Sequence, residues 1–335
     1  MPENQTLALV GGEISLEGAT LKTAGGRIEL GSVSGEGLVS LTPINKGFAL
    51  GYAAGQSFGN IQLSNQATVD ASGAGGGDVL LTGRRVSLRG GSQIEASTLG
   101  SQSGGTLALN ASELVEVSGS GSSLFVAAYP SATGAAGNLT INTPVLQVQN
   151  GGQVNASTYG AGKGGNLTVN ASKEVQLIGE SADGVYSSSL VSESQGSGSS
   201  GELRINTGKL IATDGAYVST YAYSSGNGGN LAVQASDSVE VVGIGRYLRS
   251  DLYTGTNPNT TGNAGNLTVT TGRLSVRDGA SVNTSTGGAG NGGNLTVKFL
   301  AQLQARNLET LRSRVIVKLV LQVHSEAQVM RFVEH

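Results

Sequence analysis

The sequence predicts an all-β chain folded as a parallel β-helix, a solenoid with three short strands in each coil. Three observations predict it: a segment recurring at a fixed interval, apolar residues at fixed offsets within that interval, and turn-forming clusters between them. GGNLTV stands at 164–169 and again at 292–297, with AGNLTI at 136–141, GGNLAV at 228–233 and AGNLTV at 264–269. The glycine before each such strand serves as a marker, at Gly77, Gly105, Gly137, Gly165, Gly201, Gly229, Gly265 and Gly293. The intervals are then 28, 32, 28, 36, 28, 36 and 28 residues. A repeat of this size marks stacked units that each bury one face against the next.

The first strand of a unit places Val79, Leu139, Leu203 and Leu267 two residues after the marker, and Leu81, Ile141, Ile205 and Val269 four after it. The second strand is marked by Val86, Leu146, Leu210 and Leu274, and the third by Ile94, Val154, Val218 and Val282. Each has polar or small neighbours, as in NLTIN and QVNAS. That alternation is the period of a half-buried strand. In the longer units the second strand moves by one residue, to Val115/Val117, Val175/Leu177 and Val239/Val241. Their extra residues fall in the third segment, as in GESADGVYSSSLVSESQGSGSSG at 179–201, where a solenoid lets loops project without disturbing the stack.

Three regions follow. Residues 1–76 read as irregular N-terminal coils, with LALVGGEISLEGATLKTAGGRIEL (7–30) and GNIQLSNQATVDAS (59–72) alternating well. Residues 77–297 are the regular helix with its eight coil starts. Residues 298–335 contain none of the 54 glycines. There Leu300, Leu303, Leu308, Leu311 and Val315 are spaced for an amphipathic helix, and VIVKLVLQV (315–323) reads as a strand. This tail is either a cap over the open end of the helix or a frameshifted end, and the abrupt change of composition favours the frameshift.

Composition narrows the function. A net charge of −3 leaves no nucleic-acid footprint. Cysteine is absent and the two histidines, His324 and His335, lie at the extreme C-terminus, so thiol chemistry and a His-assisted nucleophile in the body are excluded. No apolar run approaches the ~18 residues that would cross a bilayer. The Asn-Leu-Thr triplets at Asn138, Asn166, Asn266 and Asn294 fit a glycosylation acceptor, but Asp78, Thr106 and Glu202 occupy the same place, so a structural role is favoured. Glycine runs such as 73–78 lack the Lys-Ser/Thr of a phosphate loop, and no cofactor or metal site is expected.

Asp214 and Asp278 share an offset with Asn150 and Gly90, each followed by glycine, which is turn chemistry rather than a catalytic pair. Arg84, Arg85 and Arg89 read as a solvated corner. No catalytic residues are assigned. One distribution stands out: Tyr129, Tyr159, Tyr186, Tyr217, Tyr221, Tyr223, Tyr247 and Tyr253, eight of the nine tyrosines, fall in the third strand or the loop after it. They are the candidate contact face, since a phenol ring offers a flat apolar body and a polar tip.

With these segments laid out, the chain resembles the exported filamentous-haemagglutinin-like proteins of two-partner secretion systems, especially cyanobacterial ones. LALVGGEISLEGATL (7–21), GGRIELGSV (25–33), GNLTINTPVLQVQNGGQVNAST (137–158) and GRLSVRDGASVNTST (272–286) carry the likeness, which spans roughly 5–297. It implies a right-handed β-helix, export through an outer-membrane partner pore, and an adhesive or structural role at the cell surface. Glycans or other cells are the implied contacts, and no enzymatic activity is expected. The rival readings are a polysaccharide lyase or hydrolase on the same fold, and a spacer or decayed gene piece. On this likeness residues 7–33 follow the family's secretion domain. The domain itself, a signal peptide and an NPNG-type motif are then missing, Asn257-Pro258-Asn259-Thr260 being only a loop. A fragment unable to enter the export route by itself is the expectation.

Overall fold

The computed structural model describes residues 5–45, 47–258 and 260–300, and the backbone of 318–321. The first strands are β1 (Thr6–Gly11), β2 (Ile14–Glu17), β3 (Thr20–Lys22) and β4 (Arg27–Ser32), then β5 (Val39–Ile44), β6 (Gly47–Tyr52), β7 (Asn60–Ser64) and β8 (Thr68–Asp70). Long and short strands then alternate. They are β9 (Asp78–Arg89) and β10 (Gln93–Glu95), β11 (Thr106–Ser118) and β12 (Ser123–Phe125), β13 (Asn138–Gln149) and β14 (Gln153–Asn155), and β15 (Leu167–Ile178) and β16 (Ser189–Val191). The series continues with β17 (Leu203–Thr213) and β18 (Tyr217–Ala222), β19 (Leu231–Val242) and β20 (Asp251–Thr256), and β21 (Leu267–Arg277) and β22 (Ser281–Thr286). β23 (Leu295–Phe299) continues the stack, and β24 (Lys318–Leu321) pairs antiparallel with it.

From β9 to β22 the long strands pair with one another and the short strands with one another, so the described chain is a parallel β-helix with a 13-stranded and a 9-stranded sheet, beside the two-stranded β5–β6 sheet. The expected first and second strands of each coil are one bent strand of 11 to 13 residues in the regular coils. The one-residue displacement seen in the longer units is a bulge at that bend. Ala111 faces Gly83 and Leu114 faces Arg85, so β11 carries one residue more than β9 around the corner. The inward residues stack on their equivalents: Leu107, Leu139, Leu167, Leu203, Leu231 and Leu267 form one column, each essentially without exposed surface. Each such side chain contributes roughly 1.5–3 kcal/mol by leaving water.

The corner between long and short strands is set locally. Gly90, Asn150, Asp214 and Asp278 have φ of 62, 55, 57 and 57°, and the glycine after each is also left-handed. Two consecutive positive φ values are the tight-turn geometry that Asn-Gly and Asp-Gly adopt most readily. The turn closes with a hydrogen bond from Ala216 N–H to the Thr213 carbonyl at 3.1 Å, and from Ala280 N–H to Arg277 at 3.2 Å.

The marker glycines do something else. None of the regular ones has a positive φ. A Cβ on Gly165 would overlap the carbonyl oxygen of Gly137, and Gly201, Gly229, Gly265 and Gly293 repeat the collision with the marker one coil earlier. They form a column in which adjacent coils touch backbone to backbone. The asparagine after them acts as an acceptor. Asn138 Oδ1 receives the Asn166 N–H at 3.2 Å, and Asn266 Oδ1 receives that of Asn294 at 2.9 Å. Asp78 Oδ1 does the same for Thr106 at 2.9 Å, which explains why aspartate is tolerated there. The recurring hexapeptide is a rung whose side chain hydrogen-bonds to the next rung.

At the N-terminus β9 takes β4 against its first half and β7 against its second. β5 and β6 form an antiparallel hairpin that interrupts the coil and lies over β4, with the Leu50 N–H donating to Glu29 Oε2 at 2.7 Å. Of the C-terminal expectations, the strand at 315–323 is represented by β24. The helix beyond Leu300, and both histidines, lie outside the described residues.

Candidate functional site

Alternation along the short strands sends Leu124, Val154, Leu190, Val218 and Leu252 into the core, all fully buried. Their neighbours face outward in columns across coils. One column runs Ser123, Gln153, Ser189, Tyr217, Asp251; the next runs Phe125, Asn155, Val191, Ser219, Tyr253. Two residues further on, Ser194 N–H donates to the Tyr221 carbonyl at 2.8 Å and Ser194 bridges Ala222, which sets Glu193 opposite Tyr221.

The structure gathers six of the eight predicted tyrosines into two ring groups. In the first, Phe125 lies 6.4 Å from Tyr129 and 6.3 Å from Tyr159. In the second, Tyr217 and Tyr253 are 5.9 Å apart, Tyr221 and Tyr253 5.7 Å, and Tyr221 and Tyr223 4.8 Å. Tyr186 and Tyr247 stand apart, exposed on loops that precede the short strands. Those two loops meet through the Arg246 N–H, which donates to Glu180 Oε1 at 2.9 Å.

Each ring group adjoins a carboxylate, and the two are treated differently. Tyr129 donates its hydroxyl to Glu95 Oε1 at 3.0 Å. Glu193, beside the second group, is only 7% exposed, and its Oε1 has no hydrogen-bond partner. Ser189 Oγ and Ser219 Oγ, on the neighbouring outward columns, are also buried; neither makes a well-formed hydrogen bond, but Ser189 lies beside the Tyr217 hydroxyl and Ser219 beside Glu193 and the Tyr253 hydroxyl. Burial pushes the Glu193 carboxyl up to about 7, and the nearby Ser219 and Tyr253 hydroxyls offset only a fraction of this. Burial also raises Tyr253, Tyr217, Tyr223 and Tyr221, and the charge of Glu193 adds to it in all four. Asp251 is pushed up to about 7 by burial as well, but its oxygens accept from Asn283 Nδ2 at 3.1 and 3.2 Å.

Glu193, Asp251, Ser189 and Ser219 were not singled out in the sequence. Position 193 corresponds to Ala127, Ser157 and Tyr221 in neighbouring coils, so no repeat signal attaches to it. Elsewhere the arginine cluster is a paired corner: Arg84 and Arg85 reach Glu113 at 2.6 and 2.9 Å, and Arg89 reaches Glu116 at 2.6 Å. Asp214 and Asp278 are turn residues, and among the described residues no cluster of three metal-ligating side chains occurs.

A second surface lies at the N-terminal end. β1 is the first strand of the long sheet and, among the described residues, pairs only with β4, and the nearby hairpin with the residue before it exposes Leu38, Leu41, Ile44 and Phe48. Residues 1–81 match the family model of the TPS secretion domain. The match supports a secreted two-partner exoprotein, and it corrects the expectation that 7–33 follow a missing secretion domain. Those residues lie within the match, as do the hairpin and β7–β8. The misreading has a physical basis, because this region is built of the same period-two coils as the repeat and stacks directly on β9, leaving no compositional border. No curated protein and no solved structure matches the chain.

Proposed function

We propose that the chain belongs to a secreted, non-enzymatic, adhesin-like exoprotein of the filamentous-haemagglutinin type. Residues 1–76 serve its export and 77–297 form the exposed rod, with an outer-membrane pore as the export partner. The observation that carries the adhesive role is the second ring group. Tyr217, Tyr221, Tyr223 and Tyr253 collect outward-facing aromatic surface from two adjacent coils, and Tyr223 remains 41% exposed. Sugar faces and cell surfaces are contacted by such flat amphipathic rings. The test is binding of the purified chain to immobilised glycans and to whole cells, beside a variant carrying Tyr217→Ser, Tyr221→Ser and Tyr223→Ser. Loss of binding with unchanged far-UV circular dichroism is expected; equal binding by the variant removes the tyrosines from the function.

A second reading, a polysaccharide-cleaving enzyme, draws on Glu193 and Asp251, whose raised carboxyls suit general acid work. Incubation with acidic polysaccharides tests it. New reducing or unsaturated ends, abolished by Glu193→Gln, would replace the adhesin reading.

A further inference from the structure

We propose that Asn291 is a self-modifying site, its side-chain amide being converted without an enzyme to aspartate and isoaspartate through a cyclic imide formed with the backbone nitrogen of Gly292. The inference is independent of the adhesin reading and concerns the rung that leads into β23.

Asn-Gly is the dipeptide in which this chemistry runs fastest, because glycine has no Cβ to crowd the attacking nitrogen. It occurs three times, at Asn150-Gly151, Asn227-Gly228 and Asn291-Gly292, and the last two lie in identical GNGGN segments at 226–230 and 290–294. Local sequence therefore cannot rank Asn227 against Asn291, and the fold does. Gly151 is buried in a left-handed turn, with φ of 84°, and its N–H donates to Ser188 Oγ at 3.1 Å. The Gly228 N–H donates to the Asn263 carbonyl at 2.9 Å, while Asn227 Oδ1 accepts the Asn263 N–H at 2.8 Å. There the next coil holds both the nucleophile and the amide it would attack. At Asn291 both are free. Among the described residues nothing accepts from the Gly292 N–H or bonds to the Asn291 side chain, and both residues are exposed. A Cβ on Gly292 would have only Thr286 Cγ2 near it, at 3.9 Å, whereas one on Gly228 would meet the carbonyl oxygens of Gly255 and Thr220 at 3.0 Å. The Asn291 backbone is nevertheless fixed: its N–H donates to Asn263 Oδ1 at 2.8 Å and its carbonyl accepts the Ala264 N–H at 2.9 Å.

The reaction needs only water. The Gly292 nitrogen gives its proton to hydroxide and bonds to Asn291 Cγ; the Cγ–Nδ2 bond breaks, and the nitrogen leaves as ammonia after taking a proton from water. Water then opens the five-membered imide at either carbonyl. One opening gives aspartate; the other gives isoaspartate, in which the main chain runs through Cγ and the former backbone carbonyl becomes a free carboxylate. A hydrogen bond from the glycine N–H keeps the proton on the nucleophile, and one to Oδ1 keeps Cγ from swinging onto it. Asn227 carries both restraints and Asn291 neither. The isoaspartate product has a structural consequence, because it lengthens the chain just before Gly293. That glycine sits backbone to backbone on the Gly265 carbonyl, and two residues later Leu295 pairs with Leu267. The modified rung also loses the carbonyl that accepts from Ala264, so β23 is loosened from β21.

The experiment is incubation of the whole chain in mildly alkaline buffer. Samples are digested over time, and the peptides holding Asn150, Asn227 and Asn291 are followed by mass spectrometry that separates asparagine, aspartate and isoaspartate. The expected result is conversion at Asn291 roughly tenfold or more faster than at Asn227 or Asn150, whose hydrogen bonds must first open, with isoaspartate among the products. In urea sufficient to abolish the β-sheet circular dichroism, Asn227 and Asn291 are expected to react at one rate, since their segments are identical. Gly292→Ala has room for its methyl group and is expected to slow Asn291 by roughly tenfold while leaving Asn227 unchanged. Equal rates at Asn227 and Asn291 in the native chain overturn the site, as does an Asn291 that reacts in urea but not in the native chain. An unchanged rate in Gly292→Ala, or aspartate without isoaspartate, overturns the imide route.

Discussion

The outer face of the long-strand sheet and that of the short-strand sheet are built on the same coils, yet they satisfy their polar groups in different ways. On the long strands Asn142 donates to Asn110 at 2.8 Å, Asn170 to Asn142 at 2.9 Å and Asn206 to Asn170 at 2.8 Å, so each side chain is the partner of its own repeat. On the short strands the columns mix serine, glutamine, tyrosine and acid, and Glu193 has only the Ser219 and Tyr253 hydroxyls beside it, its Oε1 making no well-formed hydrogen bond. A column of identical residues completes itself by stacking, whereas a column of different residues does so only where a donor meets an acceptor, as Asn283 meets Asp251. The first kind of face ties coil to coil, and the second gathers its aromatic and acidic side chains into local groups.

The comparison can be broken hardest at the marker column. Gly229→Ala places a methyl group against the Gly201 carbonyl, which is backbone and cannot step aside. The expected loss is about 3 kcal/mol or more, read as a fall in the urea midpoint, because overpacking here must push adjacent coils apart. A mild effect would mean that the coils are not in backbone contact. Truncating the core behind the tyrosines by Leu190→Ala is expected to cost about 2–5 kcal/mol and to loosen the ring group on the other side of the strand.

The next effect sharpens the contrast through pH. Glu193 has its native carboxyl raised from 4.5 to about 7, so between those values the folded chain binds the proton more tightly than the unfolded one. Stability from this group is therefore fully present below about pH 4.5 and is lost as pH rises through about 7, by roughly 3 kcal/mol in all. Asp251, raised from 3.8 to about 7, pulls in the same direction. Chemical denaturation at pH 5 and pH 8 checks the sign, and Glu193→Gln is expected to flatten much of the difference. The smallest effect belongs to the self-completing face: Asn170→Ala removes two ladder bonds and is expected to cost about 1 kcal/mol at an exposed site. Asn230→Asp keeps the acceptor for the Asn266 N–H, now at 2.9 Å, and is expected to be near neutral in the same assay.

Much of this was legible along the chain, and the exceptions are instructive. The turn at Asn150, Asp214 and Asp278 was readable because positive φ is a property of two residues and their own side chains. The inward columns were readable because alternation is local and the repeat copies it. The bend joining the first two strands was visible only as a one-residue displacement, since continuity through a corner depends on the coils above and below. The marker glycine was legible as a marker but its reason was not, because that reason lies in the coil beneath it. The region that matches the secretion-domain model was hidden in plain alternation.

The sequence by itself therefore determined the coil length, the strand faces and the corners, all consequences of spacing within one repeat. Only the stacking of coils decided which tyrosines meet, that Tyr186 and Tyr247 do not join them, and that Glu193 lies buried beneath rings contributed one and two coils later. Burial and pKa depend on what packs above a residue, and in a solenoid that neighbour is never adjacent in the chain.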